Sequence, residues 1–133
     1  MIYIFDACAM IALLRKETGE AVVAACLADN QSVCFAHALN LCEVYYDFYK
    51  AGGASVAELS ISELKTLGVT ERNDMDETFW KEVGRLKANH RASLADLCAV
   101  ALTNKLAATL LTSDHHELDA LHAAQICPIQ FIR

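Results

Sequence analysis

Met1-Ile2-Tyr3-Ile4-Phe5-Asp6-Ala7-Cys8-Ala9-Met10 opens the chain and is the stretch that decides its fold. Its first half is a short run of β-branched and aromatic residues, a pattern that predicts a buried strand. Asp6 follows this strand and precedes a second apolar run, which predicts a short helix over residues 8–15. Ligands bind at such strand ends in parallel α/β sheets. An aspartate there is also a good helix N-cap, and for Asp6 alone the cap is the favoured interpretation.

The rest of the chain alternates short strands with helices. Further strands are predicted at 32–36, 67–69, 108–112 and 129–132, and further helices at 18–29, 37–50, 55–65, 74–89, 93–105 and 115–123. Thr18 is expected to cap the second helix. Capping-box spacing is found at three later helix starts, in the pairs Ser55 and Glu58, Asp74 and Glu77, and Ser93 and Asp96. This alternation predicts one domain, residues 1–133, with a three-layer α/β/α architecture around a central, mainly parallel sheet. Pro128 places the last strand at an edge of that sheet.

The composition narrows the class of protein. Hydrophobic residues make up 55% of the 133 residues, enough for a globular core, and no apolar run approaches the roughly 18 residues of a membrane span. The first residues look like a core strand and lack a signal-peptide pattern, so we expect a cytoplasmic protein that does not associate with membranes. The six cysteines form no C-x-x-C pair, and buried reduced thiols are expected.

Two further aspartates stand at predicted helix starts. Asp96 opens a helix that is apolar on nearly every face and is therefore expected to be buried. A carboxylate there is costly to ionise unless it is paired or bound to a metal. Asp96 also has capping-box spacing with Ser93, and the two roles can coexist because a helix N-terminus favours an anion. Asp114 follows a predicted strand directly, as Asp6 does. Taken alone, its favoured role is capping the next helix together with Glu117.

A fourth carboxylate, Glu43, lies inside the helix predicted at 37–50. With Asn40 and Asp47 it forms a narrow polar stripe, and taken singly it is expected at the surface. The combination of acids carries more weight than each acid alone, because the three aspartates could share one edge of a parallel sheet. Their mutual repulsion would disfavour such a cluster without compensation. A hard divalent cation supplies that compensation through oxygen ligands, and Mg²⁺ often uses few carboxylates together with water and phosphate oxygens.

Other polar residues are less informative. His115 and His116 would point apart in a helix, so both are expected at the surface and not as a metal-binding pair. No Walker or G-x-G-x-x-G loop is present. The net charge of −6 argues against a broad basic surface for nucleic acid, although a carboxylate cluster neutralised by metal is compatible with it. Seven cations could form a thin phosphate track or be ordinary helix-surface charges: Arg15, Lys16, Lys50, Lys81, Arg85, Lys87 and Arg91.

The four acids and their flanks resemble those of the PIN domain, and in particular of the small VapC-like toxins of prokaryotic toxin–antitoxin systems. The matching pieces are Ile4-Phe5-Asp6-Ala7 before an apolar helix, Glu43 in the helix after the second strand, Ser93-Leu94-Ala95-Asp96, and Thr112-Ser113-Asp114. Chain length and element order agree across essentially the whole chain.

The resemblance implies a metal-dependent endoribonuclease that hydrolyses phosphodiester bonds of single-stranded RNA. By position, Asp6, Glu43, Asp96 and Asp114 would be its acidic cluster, with Asp6 and Asp96 the principal ligands of Mg²⁺, or of Mn²⁺. The resemblance also implies a homodimer and a small antitoxin partner. One departure is Cys8, since many members carry Ser or Thr two residues after the first aspartate.

Alternative functions remain open at this stage. PIN domains outside toxin systems share the same acids and act in RNA processing, and a degenerate member could serve as a non-catalytic binding module. A phosphoacceptor domain of the receiver type would want an acidic pair after the first strand, where this chain has Asp6 followed by Ala7 and Cys8.

Overall fold

The computed structural model describes residues 1–133. The strands are β1 (Ile2–Phe5), β2 (Val33–His37), β3 (Val69–Arg72), β4 (Thr109–Thr112) and β5 (Ile129–Phe131). The helices are α1 (Ala7–Arg15), α2 (Glu20–Ala28), α3 (Ala38–Gly52), α4 (Ala54–Leu67), α5 (Glu77–Asn89), α6 (Leu94–Lys105) and α7 (His115–Ala123).

The five strands form one sheet in the order β3-β2-β1-β4-β5, and every pairing is parallel. The predicted α/β class with a mainly parallel sheet is therefore confirmed, as is the edge position of the last strand. β1 lies at the centre, where the chain first winds outward through β2 and β3 and later through β4 and β5. Such a reversal of strand order opens a crevice at the carboxyl ends of the strands.

Alternate residues of the central strands face two separate cores, as the two-residue period of a strand requires. Ile4 and Leu110 point into a core formed with α5, α6 and α7. Phe5 and Leu111 point to the other face, against α1, α2, α3 and α4. All four side chains are fully buried, and burying each contributes roughly 1.5–3 kcal/mol. The two helical layers complete the predicted three-layer architecture.

Two helices begin without the caps that the sequence predicted. Thr18 does not cap α2, since Gly19 is the N-cap, with a φ of 96°. A Cβ at Gly19 would lie 2.6 Å from the carbonyl oxygen of Ile132, so this turn requires glycine. Ser55 does not cap α4 either, because α4 begins at Ala54 after an N-cap at Gly53. Glycine supplies the backbone conformation at both starts, where the prediction relied on side-chain hydrogen bonds.

The capping box predicted from Asp74 and Glu77 is also wrong. Asp76 is the N-cap of α5, and its carboxylate accepts a hydrogen bond from the amide of Phe79 at 2.9 Å. Asp74 instead forms ion pairs with Arg72 and Lys105. Their hydrogen bonds and charges hold the pKa of Asp74 well below its usual range. Because the Asp74 carboxylate pairs with charged groups on β3 and α6, it does not cap α5.

The remaining differences are small. The third strand begins at Val69, two residues later than predicted, because Leu67 still belongs to α4 and Gly68 closes that helix with a φ of 114°. All six cysteines are free thiols, as expected, and four of them are buried. The expected burial is wrong for Cys42, which is exposed, and only partly met by Cys8. None of the seven helices combines the length and the apolar character that a membrane crossing requires.

Candidate functional site

The candidate site lies at the carboxyl ends of β1 and β4, which are neighbours in the sheet. Asp6 comes directly after β1, and Asp114 comes two residues after β4. The Asp6 amide donates to the Leu111 carbonyl at 3.3 Å, so the segments that follow β1 and β4 start side by side. The first turn of α6 and the middle of α3 contribute the other two acids of the site.

Asp6 is 1% exposed and both of its carboxylate oxygens accept hydrogen bonds. One oxygen accepts from the Ala9 amide at 2.9 Å, which makes Asp6 the N-cap of α1. The other accepts from the hydroxyl of Thr112. Burial raises the pKa of Asp6 from 3.8 to about 7, with smaller increases from the charges of Asp96 and Asp114, although the two hydrogen bonds oppose the increase. Asp6 therefore caps α1, and ionisation of its buried carboxylate costs free energy unless a cation is bound nearby.

Thr112 and Asp114 are linked through a short turn after β4. The hydroxyl oxygen of Thr112, which donates to Asp6, also accepts from the Asp114 amide at 2.9 Å. The Asp114 carboxylate accepts from the Glu117 amide at 3.0 Å, so Asp114 is the N-cap of α7, as its sequence position predicted. One hydroxyl thus fixes two of the four acids relative to each other.

Asp96 sits in the first turn of α6 and is 8% exposed. Its amide donates to the Ser93 hydroxyl oxygen at 3.2 Å, and that hydroxyl donates to the Asp96 carboxylate at 2.9 Å, as expected for the predicted capping pair. Burial raises the pKa of Asp96, as do the charges of Asp114 and Glu117, while the bonds to Ser93 lower it. The carboxylate thus combines a capping role with a position among other acids.

Glu43 is half-buried, contrary to the surface position expected of it alone. Burial is the main cause that raises the pKa of Glu43, and the charges of Asp96 and Asp114 add to it. One turn earlier on α3, Asn40 is fully buried and its amide nitrogen donates to the Ala95 carbonyl at 3.3 Å. Glu43 Oε1 and Asn40 Oδ1 are buried without a hydrogen-bond partner. This part of the polar stripe on α3 faces α6 and not solvent.

These side chains have the chemistry that a divalent cation requires. Burial and mutual repulsion both raise the pKa values of Asp6, Glu43 and Asp96, and two oxygen atoms lack donors. A hard cation with oxygen ligands would offset the repulsion and satisfy such atoms. No three Asp, Glu, His or Cys side chains lie close enough, as they stand, to form a metal-binding group by themselves. The donor chemistry of these residues therefore fits a hard divalent cation, whereas the spacing of their side chains does not by itself define a metal site.

Cys8 lies beside this cluster, where the resemblance leads one to expect a hydroxyl. Burial raises the pKa of its thiol to about 12, and the charges of all four acids, that of Asp6 foremost, contribute. The thiol is therefore neutral near pH 7, and it is neither a nucleophile nor a metal ligand in that form. His115 and His116 are both exposed, as predicted.

Sequence reasoning missed three residues around the four acids. The sequence pattern includes Thr112 in the matching piece Thr112-Ser113-Asp114 but gives it no role of its own, and it includes Glu117 only as a capping partner and Asn40 only as part of a narrow polar stripe. A threonine hydroxyl two residues before an aspartate at a strand end is the local signal that could indicate the first of these roles. Nothing local distinguishes the buried amide of Asn40 from an exposed one.

The cations do not form the continuous phosphate track that was considered. Arg15, Lys81 and Arg85 are engaged by carboxylates of the same or a neighbouring helix. Lys87 donates to the Ala92 carbonyl. Four of the seven cations are therefore ordinary helix-surface charges, whereas Lys16, Lys50 and Arg91 have no such partner.

A family model described as PIN domain matches residues 3–124. No curated protein sequence matches the chain.

Several solved toxin–antitoxin structures contain similar chains. One is the structure of VapBC2 from Rickettsia felis bound to a DNA fragment from its promoter, with 14% identity, a TM-score of 0.76, and 98% of each chain covered. Another is VapBC-1 from nontypeable Haemophilus influenzae, with 20% identity, a TM-score of 0.72, and coverage of 99% of this chain and 98% of that one. A third is Mycobacterium tuberculosis VapC20, described as a sarcin-ricin loop cleaving toxin, with 15% identity, a TM-score of 0.71, and coverage of 90% and 95%. These likenesses confirm the fold.

Proposed function

Since the chain belongs to the PIN domain family, we propose that it is a metal-dependent endoribonuclease that hydrolyses phosphodiester bonds of single-stranded RNA. The observation that carries the proposal is the convergence of four acids from four separate elements. The charges of Asp96 and Asp114 raise the pKa of both Asp6 and Glu43, so Asp6 and Glu43 each lie within electrostatic reach of Asp96 and Asp114. Such clustering destabilises the protein without a cation and is useful with one.

The proposed ligands follow from burial and position. Asp6 and Asp96, the two most buried of the four acids, are the proposed principal ligands of Mg²⁺, with Mn²⁺ as an alternative. Asp114 and Glu43 complete the site, hold a second ion or position the attacking water. When bound, the metal lowers the pKa of a coordinated water and stabilises negative charge on the phosphate.

Residues around the acids hold them in place for this chemistry. Thr112 and the Ala9 amide fix the Asp6 carboxylate, and Ser93 fixes that of Asp96. Asn40 joins α3 to the carbonyl of Ala95, beside Asp96, and so sets the distance between the two helices that carry Glu43 and Asp96. Ligands held by such bonds lose little conformational freedom when the ion and the substrate bind.

A VapC-like toxin is the most specific form of the proposal. In this form the chain is a homodimer, acts in the cytoplasm and is neutralised by a small antitoxin protein. Its support is the fold shared with the VapBC assemblies from Rickettsia felis and Haemophilus influenzae and with the VapC20 toxin. A PIN-fold protein acting in RNA processing, or as a non-catalytic binding module, is the alternative.

The decisive experiment is incubation of the purified protein with defined single-stranded RNAs in Mg²⁺, in Mn²⁺ and in excess EDTA. Cleavage is expected with either metal and not in EDTA. Asp96→Asn should keep the fold and abolish cleavage. Asp29→Asn is the matched control, because Asp29 is exposed and comes before β2. It therefore lies near the amino ends of the strands, whereas the four acids lie near the carboxyl ends. Full activity of Asp96→Asn, or cleavage in EDTA, would exclude the proposed mechanism.

The toxin assignment has its own test. Expression of the chain alone should slow bacterial growth, and co-expression of a small open reading frame adjacent to its gene should restore growth and yield a co-purifying complex. Normal growth together with RNA cleavage in vitro would favour the alternative outside toxin systems. Absence of both metal binding and cleavage would favour the non-catalytic module.

A further inference from the structure

A second concave feature lies next to the acidic cluster. It is a cavity of about 560 Å³ between the α5–α6 connection and α7. Asn89, His90 and Arg91 line one wall, and His116 and Glu117 line the other together with Ala120 and Leu121. Residues of this kind are unlike the apolar lining of a small-molecule pocket.

Arg91 is the only arginine of the chain without a carboxylate partner. The other four, Arg15, Arg72, Arg85 and Arg133, each lie in an ion pair. Arg91 is exposed and its side chain forms no ion pair or hydrogen bond, even though Glu117 lines the same cavity. Its guanidinium group is therefore free for an anion, and its planar fork of donors suits a phosphate.

Two imidazoles add donors to the same cavity. His115 is turned away, because it contacts the Asp119 carboxylate and the Arg133 carbonyl. His90 and His116 have no such contacts, and both line the cavity. Three nitrogen-bearing side chains without intramolecular partners thus surround one concave space, in a chain whose net charge is −6.

The cavity lies near the acidic cluster, although none of the four acids lines it. Glu117 lines the cavity and is close enough to Asp96 for its negative charge to raise the pKa of Asp96. A substrate held by Asp6 and Asp96 would therefore pass close to the mouth of the cavity. Glu117 repels an anion, so a phosphate is expected at the wall formed by Asn89, His90 and Arg91.

We propose that this cavity binds a backbone phosphate of the RNA that flanks the scissile phosphate, with Arg91 as its main contact. The inference rests on the proposed ribonuclease function and adds a substrate-binding subsite to it. The acidic cluster repels RNA unless metal is bound. A basic contact beside the cluster offsets this repulsion and holds the flanking phosphate in a fixed position. Arg91 is a binding residue in this scheme and takes no part in bond cleavage.

The test is RNA binding in the Asp96→Asn background, which prevents cleavage and removes one of the negative charges that repel RNA. Fluorescence anisotropy of an end-labelled single-stranded RNA gives Kd over a range of salt concentrations. Arg91→Gln should weaken binding about three- to tenfold and make the salt dependence of log Kd less steep by about 0.7, the value for one lost phosphate contact on a single strand. Lys50→Gln is the control, because Lys50 is exposed, has no ion pair and lies outside the cavity.

Neutral backbone substitutions locate the contact. An RNA in which one linkage is a methylphosphonate should bind the Asp96→Asn protein more weakly when that linkage is the one in the cavity. The same RNA should lose no further affinity when Arg91→Gln is added, since the contact is then already absent. Arg91→Lys keeps the positive charge that Arg91→Gln removes, but it lacks the planar guanidinium donors. If Arg91 contacts phosphate, Arg91→Lys should therefore bind RNA more tightly than Arg91→Gln and more weakly than the protein with arginine at this position.

The outcomes separate the two proposals. If the wild-type protein cleaves no RNA and the Asp96→Asn protein binds none, the ribonuclease proposal fails. If RNA binds but Arg91→Gln changes neither Kd nor its salt dependence, the phosphate subsite is wrong and the ribonuclease proposal stands. Loss of binding in Arg91→Gln with a lowered melting temperature and no recovery in Arg91→Lys would assign Arg91 a structural role and overturn the subsite.

Discussion

The hydroxyl of Thr112 donates a hydrogen bond to the Asp6 carboxylate, and the two residues are 106 positions apart in sequence. The same hydroxyl oxygen accepts from the Asp114 amide. β1 and β4 are neighbours in the sheet, so their carboxyl ends bring these groups together. Thr112 thus ties the most buried acid of the site to the acid at the start of α7.

Thr112→Val should destabilise the protein. Valine matches threonine in shape but cannot donate, so one oxygen of Asp6 and the Asp114 amide lose their partner. Leaving such buried groups unpaired costs about 1–3 kcal/mol in the free energy of unfolding. Urea denaturation monitored by circular dichroism measures the loss.

The control for that substitution is Thr103→Val. Thr103 is as buried as Thr112, but its hydroxyl donates to the Ala99 carbonyl within the same helix, α6. That carbonyl lies in the helix interior and keeps its backbone hydrogen bond. Equal losses for the two variants would show that the Thr112 contact has no special importance.

Asp6→Asn should change how stability depends on pH in metal-free buffer. The pKa of Asp6 is about 7 in the folded protein and its ordinary value is 3.8, so the folded state retains the proton over that interval. The stabilisation is complete below the lower value and is lost as pH rises through the higher one. The contribution of Asp6 to the free energy of unfolding of the wild type should fall by roughly 4 kcal/mol over this window.

The amide introduced by Asp6→Asn cannot ionise, so the variant lacks this decrease and should be more stable than the wild type above pH 7. Chemical denaturation in EDTA at several pH values between about 4 and 8 checks this expectation. A parallel pH dependence of wild type and variant would mean that Asp6 ionises without a penalty.

Divalent cations should stabilise the wild-type protein at neutral pH. An ion that binds only the folded state adds about 2.7 kcal/mol at a concentration a hundred times its Kd, which for a chain of this size raises Tm by roughly 10 °C. Asp96→Asn should abolish the increase, and Asp29→Asn should retain it. Differential scanning fluorimetry with MgCl₂ or MnCl₂ against NaCl of equal ionic strength separates binding from salt screening.

Cys8→Ser should preserve the fold and keep the rate of RNA cleavage within about threefold of the wild-type rate, since neither side chain ionises near pH 7. The Cys8 thiol is neutral because burial and the neighbouring acids raise its pKa to about 12. Steady-state cleavage rates of the two proteins test this assignment. A much larger loss of activity in Cys8→Ser, with an unchanged melting temperature, would show that the thiol takes part in the reaction.

The sequence predicts the sheet and the acids well because each depends on local pattern. Short apolar runs that end in an aspartate place Asp6 and Asp114 at one edge of a parallel sheet without any knowledge of tertiary contacts. The buried character of α6 is likewise visible in its apolar residues. The family resemblance then brings Glu43 and Asp96 to the same place.

What the sequence did not predict depends on contacts between distant segments. Asp74 and Asp76 are both plausible caps of α5, and the choice between them is made by Lys105, which pairs with Asp74 from α6. Asn40 is buried because α6 covers it, and Glu117 approaches Asp96 because α7 begins beside α6. Helix propensity and residue spacing contain no information about these contacts between segments that are distant in sequence.

The central place of β1 also determines when the site can come into existence. β1 pairs with β2 through a connection of modest length, whereas its pairing with β4 closes a loop of most of the chain. The longer loop adds only about 1 kcal/mol of closure entropy, but contacts between distant segments form more slowly than local ones. The first three strands can therefore assemble early, but Asp6 meets Thr112 and Asp114 only when β4 docks. A nascent chain therefore has no assembled acidic cluster until β4 has been made and has folded, and the proposed site forms only late in the synthesis of this domain. Pulsed hydrogen exchange should accordingly show the amides of β4 protected after those of β2.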